Sequence, residues 1–330
     1  MKAWQVIELG EPAAVMRQTE TARPEPGDGR LLVKVRAAAV NFPDALMCRG
    51  HYQIRPPLPF TPGVELCGEI IDGDLAGMGA PPAGGWGRVI GTPLLPDGAF
   101  AEYALMDPAT TFAAPPALDD AEAAALHIGY QTAWFGLHRR ARLQAGETLL
   151  VHAAAGGVGS AAVQLGKAAG ALVIGVVGGP EKAAAAQALG ADLVIDRRHD
   201  DFVSAVKEAT GGRGADVVFD PVGGDAYTGS TKCIAFEGRI VVVGFAGGTI
   251  PAPGLNHALV KNYAILGLHW GLYNAHDPQA VRDCHTELTA LAAKGVVKPL
   301  IGARLPFDRA AEAVQQVADG TSIGRLTIHP

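Results

Sequence analysis

The stretch from Thr148 to Lys182 places the strongest constraint on how this chain can fold. It reads TLLVHAAAGGVGSAAVQLGKAAGALVIGVVGGPEK. The apolar residues 148–152 predict a buried strand, a helical pattern follows from about Val158 to Ala169, and Gly170 suits the end of that helix. A second apolar, β-branched run from Leu172 to Val177 predicts another strand. The stretch therefore predicts a β-α-β unit.

Small residues fill the loop between the first strand and the helix, in the pattern A-x-G-x-x-G. A glycine at the second position lets the backbone approach a pyrophosphate, and one at the third lets the helix pack closely on the sheet. The N-terminus of the helix presents unpaired N–H groups to the anion. Because the loop lies between a strand and a helix, it predicts a dinucleotide site. The predicted contacts are Ala154, Gly156, Gly157, Val158 and Gly159.

Length and composition exclude several classes of protein. A chain of 330 residues is long enough for two domains, and 48% hydrophobic with 18% charged residues is typical of a globular protein. A net charge of −6 with scattered basic residues argues against nucleic-acid binding. The opening MKAWQVIEL reads as a strand and not as a signal peptide, and no transmembrane run is evident. Four cysteines without C-x-x-C spacing indicate reduced thiols and a cytoplasmic protein.

Residues 1–120 do not show a repeating β-α pattern. Turn-rich segments such as RPEPGDGR and MGAPPAGGWG separate short strands, which is typical of a compact, mostly antiparallel β domain. Near residue 121 the sequence becomes helical, and Asp119 or Asp120 is the expected N-cap. The predicted strands are Lys2–Glu8, Leu31–Ala39, Glu65–Ile71, Arg88–Gly91 and Ala99–Leu105.

The α/β pattern continues after the first β-α-β unit, with a helix expected at 201–210. Four further strands are predicted there, and with the two strands of that unit they make six parallel strands with helices on both faces. The sequence therefore predicts a doubly wound Rossmann domain over residues 121–271. The tail (a helix at 278–294, a strand, a helix and a last strand) does not extend this pattern. Residues 272–330 are therefore expected to join residues 1–120. The further predicted strands are Leu193–Asp196, Asp216–Asp220, Arg239–Gly244 and Ala264–His269.

Several motifs in order along nearly the whole chain resemble one known group. They are AVNFPDALMCRGHYQIRPPLPFTPGVELCGEI, GYQTAW, AAAGGVGSAAVQLGKAAGA, FDPVGG, GRIVVVGFAGG, and KN with GLHWG. The chain is similar to the zinc-free quinone oxidoreductases of the medium-chain dehydrogenase/reductase superfamily. The resemblance implies a GroES-like catalytic β domain beside the Rossmann domain.

The residues where zinc-dependent relatives bind their metal differ here. Asn41 stands in place of a catalytic cysteine, and Val64 replaces the histidine of a G-H-E stretch. Residues 73–97 contain none of the four cysteines that hold a structural zinc in such relatives. Tetrahedral zinc needs clustered Cys and His ligands, so a metal-free protein is expected.

The expected loss of zinc narrows the chemistry. Reduction of a simple ketone builds an alkoxide that a Lewis acid must stabilise, whereas a quinone or a conjugated enone delocalises the incoming charge. The sequence therefore predicts an NADPH-dependent quinone reductase. An enone or enoyl-thioester reductase, with Arg49 and Arg55 as partners for acyl-CoA phosphates, is the alternative enzyme. A nucleotide-binding protein with weak or lost catalysis is the alternative from another class.

Asn41 and Tyr52 are the predicted catalytic residues. Asn41 is expected to hydrogen-bond a substrate oxygen in the nicotinamide pocket, or else only to form a turn before Pro43. Tyr52 either donates to the reduced acceptor or serves as a packing anchor. Asp44 is expected to pair with a cation or cap a turn, and Glu65 to form a structural ion pair. The histidines, His152 among them, are interpreted as structural.

Three further places are expected to contact the cofactor. Thr132, in GYQTAW, is predicted at the nicotinamide end, although a helical threonine can instead bond a backbone carbonyl. The other two follow predicted strands, where open α/β sheets bind ligands. Their residues are Val222 with its neighbour Gly223, and Gly244, Phe245 and Ala246.

The end of the second strand indicates which dinucleotide is used. NAD-selective folds place an acid there to hold the ribose 2′-hydroxyl, but here the strand leads into a turn that begins at Gly178. Lys182 follows, and Arg197 lies where similar quinone reductases often have a tyrosine beside the 2′-phosphate. NADPH is therefore the expected cofactor. Arg198 and Arg325 are weaker candidates, and any of these four charges can instead be a solvated surface group.

The last strand of the Rossmann domain predicts a homodimer. The stretch YAILGLHW is apolar, and as a sixth strand it leaves a bare sheet edge that invites pairing with another chain. A two-fold axis is the commonest closure. The alternative is an edge covered by the tail helix.

Overall fold

The structure, a computed structural model, describes residues 1–27, 29–78 and 85–330. Much of the predicted turn MGAPPAGGWG lies outside the described residues. The chain forms two compact units, one of residues 1–128 with 289–330 and the other of residues 129–288. The domain boundaries expected from the sequence were 120/121 and 271/272. No helix in the described part of the chain is long and apolar enough to cross a membrane.

The first unit begins with six strands that are antiparallel to their neighbours. β3 pairs with both β4 and β6, so β3 to β6 close into a small barrel. The buried side chains inside it include Leu66, Phe100 and Met106. The strands are β1 Lys2–Val6, β2 Met16–Glu20, β3 Leu31–Ala39, β4 Leu66–Gly73, β5 Arg88–Pro93 and β6 Tyr103–Ala113.

The strand predicted at 99–105 differs from the observed β6. Residues before Tyr103 are used by β1 instead, because the Trp4 amide donates to the Phe100 carbonyl at 2.8 Å. β6 then extends to Ala113 and pairs with β5. The α-helices described among these strands are α1 Pro12–Val15, α2 Phe42–Cys48 and α3 Asp120–Ala124. Asp119 is the N-cap of α3 and forms a capping box with Glu122.

The second unit holds the predicted doubly wound sheet. Six parallel strands lie in the order β12-β11-β10-β7-β8-β9. β7, β8 and β9 match their predicted bounds, and β10 begins one residue earlier than predicted. β11 begins five residues earlier than predicted, and both β11 and β12 end two residues earlier. The strands are β7 Thr148–His152, β8 Leu172–Val177, β9 Leu193–Asp196, β10 Ala215–Asp220, β11 Ile234–Val242 and β12 Ala264–Gly267.

Helices connect these strands, and a single π-helical stretch covers Phe135–Arg140. Buried aliphatic residues such as Leu150, Ile174 and Ile240 form the core of the sheet. The Asp201 carboxylate accepts from the amides of Val203 and Ser204 and so caps α7. The helices are α4 His127–Trp134, α5 Gly157–Ala168, α6 Pro180–Ala188, α7 Phe202–Ala209, α8 Gly224–Cys233, α9 Leu255–Lys261, α10 Tyr273–His276 and α11 Pro278–Ala293.

The tail returns to the first unit, as predicted. It forms β13 (Ile301–Pro306), α12 (Ala310–Ala318) and β14 (Arg325–His329). β14 pairs antiparallel with β3, with Thr327 opposite Ala39. This pairing brings Arg325 next to the residues that follow β3.

Candidate active site

The glycine-rich loop of the second unit has the geometry expected of a phosphate cradle. Gly156 is the N-cap of α5 and has extended backbone angles. A Cβ on Gly159 would lie 2.1 Å from the Ala153 carbonyl oxygen, so only glycine permits this approach of helix to loop. This contact is with the loop, and the predicted packing of the helix on the sheet at Gly159 stays a prediction. The first-turn N–H groups of a helix have no intrahelical acceptor, and in α5 they come from Gly157, Val158 and Gly159.

Three cations surround the turn after β8. The position of a Cβ on Gly178 is 3.4 Å from Arg197 Nε, and that of Gly179 is 2.8 Å from Arg198 Nη1. Burial, and then the charges of Arg198 and Arg197, lower the pKa of Lys182. Lys182, Arg197 and Arg198 therefore form one basic cluster, and they repel one another unless an anion lies between them.

The acid that ends β9, Asp196, lies at the same turn as this cluster. Asp196 Oδ1 accepts from the backbone amides of Gly179 at 2.9 Å and Arg198 at 3.1 Å. The carboxylate thus holds the backbone of Gly179 and Arg198 together at this turn. Arg198, the weaker candidate of the sequence analysis, lies as close to this turn as Arg197 does.

The loops after β10 and β11 are joined by backbone hydrogen bonds. Asp220 Oδ1 accepts from the Val222 and Gly223 amides at 2.8 and 3.0 Å. The Ala246 amide donates to the Pro221 carbonyl at 3.0 Å. Since β11 ends at Val242, Gly244 and Phe245 lie in the loop and not in the strand. Val222, Gly244, Phe245 and Ala246 are thus together beyond the carboxyl ends of the parallel strands, where the sequence placed them.

Thr132 lies on α4 and is buried. Its predicted contact with the cofactor stays a prediction.

In the first unit, Asn41 belongs to a buried polar cluster. Its Nδ2 donates to the Ala39 carbonyl at 3.2 Å and to Glu65 Oε2 at 3.0 Å. Its Oδ1 accepts from Arg325 Nη1. Both ends of the amide therefore have protein partners, and a bond to a substrate oxygen requires one of them to be exchanged. The catalytic role of Asn41 stays a prediction, and it requires the side chain to give up one of these hydrogen bonds.

Two carboxylates complete this cluster. Burial raises the pKa of Asp44 to about 7. The backbone amides of Asn41 and Gly63 donate to this carboxylate and partly offset the rise in its pKa. Burial also raises the pKa of Glu65, which the charge of Arg325 opposes. Glu65 Oε2 lies 3.6 Å from Arg325 Nη2. The expected ion pair of Glu65 and the expected cap by Asp44 are both confirmed.

Arg325 belongs to this buried cluster, although the sequence analysis considered it for the cofactor site. It was a weak candidate for the 2′-phosphate, and that assignment is wrong. The side chain is only 7% exposed, and Nη1 is engaged with Asn41 and the Val40 carbonyl. Its spacing of 284 residues from Asn41 gave no signal, because only the pairing of β14 with β3 brings the two together.

Tyr52 lies four residues after the end of α2. Its half-buried ring packs against the core of the first unit, as the packing-anchor alternative expects. Burial, and then the charge of Asp44, raise the pKa of the phenol. Tyr52 is therefore protonated at neutral pH and keeps a proton to donate.

The residues in the zinc positions do not suit a metal. The Asn41 amide is engaged, and Val64 is a buried aliphatic side chain with no donor atom. Among residues 1–27, 29–78 and 85–330, no group of three or more His, Cys, Asp or Glu side chains is arranged to hold a metal ion. The four thiols are buried and unpaired.

Comparison with known proteins identifies the class. Residues 27–116 match the alcohol dehydrogenase GroES-like domain, and residues 157–286 match the zinc-binding dehydrogenase family. The chain belongs to the medium-chain dehydrogenase/reductase superfamily of oxidoreductases.

Within that superfamily the chain belongs to the quinone oxidoreductase group. It is 38% identical to a quinone oxidoreductase-like protein 2 homolog of Nematostella vectensis, over 98% of this chain and 87% of the relative. The Escherichia coli quinone oxidoreductase complexed with NADPH superposes with a TM-score of 0.90 at 28% identity, over all of both chains. The CurK enoyl reductase has a TM-score of 0.86 at 25% identity, over 99% of this chain and 98% of its own. The predicted fold and group are confirmed, and the E. coli complex agrees with the predicted cofactor.

Proposed function

We propose that this chain is an NADPH-dependent quinone oxidoreductase that works without zinc. The observation that carries the proposal is the side-chain set at the zinc positions of the superfamily. A neutral amide held by Arg325 and Glu65, and an aliphatic Val64, stand there in place of metal ligands.

This side-chain set favours some acceptors over others. Reduction of a simple ketone creates a strongly basic alkoxide, which zinc stabilises in related dehydrogenases. A quinone spreads the same charge over an aromatising ring and needs only neutral donors or water. Tyr52 supplies such a donor, because its raised pKa keeps the phenol protonated.

The second unit carries the residues that suit NADPH. Gly156 and the first turn of α5 are placed for the pyrophosphate, and Lys182, Arg197 and Arg198 for the 2′-phosphate. Val222, Gly244, Phe245 and Ala246 lie beyond the strand ends where the rest of the dinucleotide binds in such sheets. Thr132 is assigned to the nicotinamide end. When bound, NADPH supplies the hydride for the reduction.

An enone or enoyl-thioester reductase is the second candidate, favoured by the similarity to the CurK enoyl reductase. An acyl-CoA substrate would call for free basic residues, but Arg49 forms a bidentate pair with Glu11 at 2.9 and 2.7 Å. Arg55 Nε donates only a long bond, 3.4 Å, to the Tyr52 carbonyl. Arg55 thus remains available for a phosphate, whereas the engagement of Arg49 weakens the thioester alternative.

A spectrophotometric screen tests the proposal. NADPH absorbance is followed with benzoquinone, phenanthrenequinone or crotonyl-CoA as acceptor. Turnover with the quinones and little with crotonyl-CoA is expected. Turnover with crotonyl-CoA alone assigns the enoyl-thioester alternative, and NADPH binding without any turnover assigns the non-catalytic one.

The proposal includes a homodimer in the cytoplasm. β12 lies at the end of the sheet order and, within the described residues, pairs only with β11. An uncharged edge of this kind accepts a second strand. Ile265→Asp at the centre of β12 is expected to give a monomer in light scattering. The four buried, unpaired thiols suit a reducing compartment.

A further inference from the structure

The carboxylate of Asp196 joins the two loops that carry the basic cluster. β9 ends at Asp196, and both hydrogen bonds described above use Oδ1. The bond from the Gly179 amide spans 17 residues and reaches the turn after β8. The bond from the Arg198 amide closes the turn that follows β9. A single carboxylate oxygen thus holds the backbone on both sides of the cluster.

The three cations depend on this carboxylate to different degrees. Gly179 is the N-cap of α6 with φ at +104°, and Lys182 follows in the first turn of that helix. Glycine has more conformational freedom to lose than any other residue, so the bond to Asp196 fixes the start of α6. The amide of Arg197 instead donates to the Val177 carbonyl in the strand ladder, at 3.0 Å. Loss of Asp196 therefore loosens the backbone before Lys182 and at residue 198, while residue 197 keeps its place.

The same carboxylate places a negative charge beside the cations. The amides of Gly179 and Arg198 lower the pKa of Asp196, so the group is ionised at neutral pH. Asp196 is partly exposed, and salt screens the field of such a charge. An anion bound by the basic cluster is therefore held by the cations and repelled by Asp196. The hydrogen bonds and the charge of this one side chain act on such an anion in opposite directions.

We propose that Asp196 is a positioning residue for the 2′-phosphate of NADPH, acting through Gly179 and Arg198, and that its charge at the same time limits the affinity for that phosphate. This inference rests on the phosphate site proposed above and adds the residue that sets the discrimination between NADPH and NADH. In NAD-selective folds an acid at the end of the second strand holds the ribose 2′-hydroxyl. Here the acid ends the third strand and binds backbone amides.

Two variants separate the hydrogen bonds from the charge. Asp196→Asn keeps an oxygen that can accept from both amides and loses the charge, whereas Asp196→Ala loses the charge and both hydrogen bonds. Dissociation constants for NADPH and NADH are measured by fluorescence titration at low and at high salt. These titrations need no electron acceptor, so their outcome does not depend on whether the chain reduces quinones.

The two variants are expected to change NADPH binding in opposite directions. Asp196→Asn should bind NADPH about threefold more tightly than the wild type at low salt, and this gain should disappear at high salt, where exposed charges are screened. Asp196→Ala should bind NADPH about tenfold more weakly than Asp196→Asn, because it lacks two hydrogen bonds. That difference should persist at high salt. The constants for NADH should change much less, since NADH lacks the 2′-phosphate.

Asp192→Ala is the matched control. Asp192 lies just before the other end of β9, and its Oδ2 also accepts from a backbone amide, that of Val173 at 2.7 Å. This variant should lose thermal stability and keep the wild-type ratio of the NADPH and NADH constants. Circular dichroism checks that each variant is folded.

Three results would overturn the inference. Equal NADPH constants for Asp196→Asn and Asp196→Ala remove the positioning role. Weaker NADH binding by Asp196→Asn shows that the carboxylate binds the ribose directly and not through the turn. A wild type that does not favour NADPH over NADH removes the phosphate site itself, and the role of Asp196 with it.

Discussion

The basic cluster after β8 makes cofactor selectivity the sharpest property to test. Lys182, Arg197 and Arg198 meet around Gly178 and Gly179, and the pKa of Lys182 is lowered partly by the other two charges. An anion placed among them gains attraction and also relieves their mutual repulsion. Lys182→Ala, Arg197→Ala and Arg198→Ala each remove one of the three charges.

The expected size of the effect follows from the contact type and its exposure. A hydrogen bond to a charged group contributes about 1.5–3 kcal/mol. Arg197 and Arg198 are exposed, so solvent screening favours the lower end of that range. Removing one cation also lowers the repulsion in the free protein. Each single variant should therefore raise the Michaelis constant for NADPH about tenfold, with a smaller effect at high salt.

The assay compares steady-state constants for NADPH and NADH with one quinone. The constant for NADH should stay nearly unchanged, because it lacks the 2′-phosphate. Arg282→Ala, an exposed arginine of α11 bonded to Gln279, is the control and should alter neither constant. If all three cluster variants keep wild-type selectivity, the phosphate site lies elsewhere. If the wild type prefers NADH, the reasoning from the strand end is refuted.

Three further predictions concern other parts of the molecule. Tyr52→Phe should slow reduction of an enone more than of a quinone, because quinone reduction can finish with a proton from water; equal rates on every acceptor would remove Tyr52 from the mechanism. The purified protein should carry no stoichiometric zinc and keep its activity in chelator, and elemental analysis with one tightly bound zinc per chain would contradict this. Burial lowers the pKa of His152 from 6.5 to about 4, so the native state binds fewer protons than the unfolded state in that interval. Its contribution to stability is full above pH 6.5 and falls by about 3 kcal/mol on acidification to pH 4. Because buried Asp44, with its raised pKa, acts in the opposite direction, urea unfolding of wild type is compared with His152→Gln; parallel pH curves for the two would refute the assignment.

Local signals in the sequence were sufficient to predict much of the secondary structure. The bounds of β7, β8 and β9 agree with their predictions because each is a short apolar run flanked by turn residues. Asp119, one of the two expected N-caps, caps α3, and a helix was expected from Asp201, which caps α7. These signals are local because an N-cap bonds amides only two or three residues away. Gly159 was identifiable for the same reason, since its close contact is with Ala153 in the same loop.

Contacts between remote segments were decided only by the tertiary structure. Arg325 lies beside Asn41, 284 residues away in sequence, because β14 pairs with β3. The Asn41 side-chain amide, which the sequence analysis assigned to a substrate oxygen, is therefore hydrogen-bonded to Arg325. Arg198 and Arg197 both lie beside Gly178, and the Asp196 carboxylate holds the Arg198 and Gly179 amides at this turn. The apolar residues Leu255, Leu259 and Val260 of α9 are exposed. Their exposure is a property of the folded surface, because residue type gives hydrophobicity whereas burial depends on which other segments arrive to cover it.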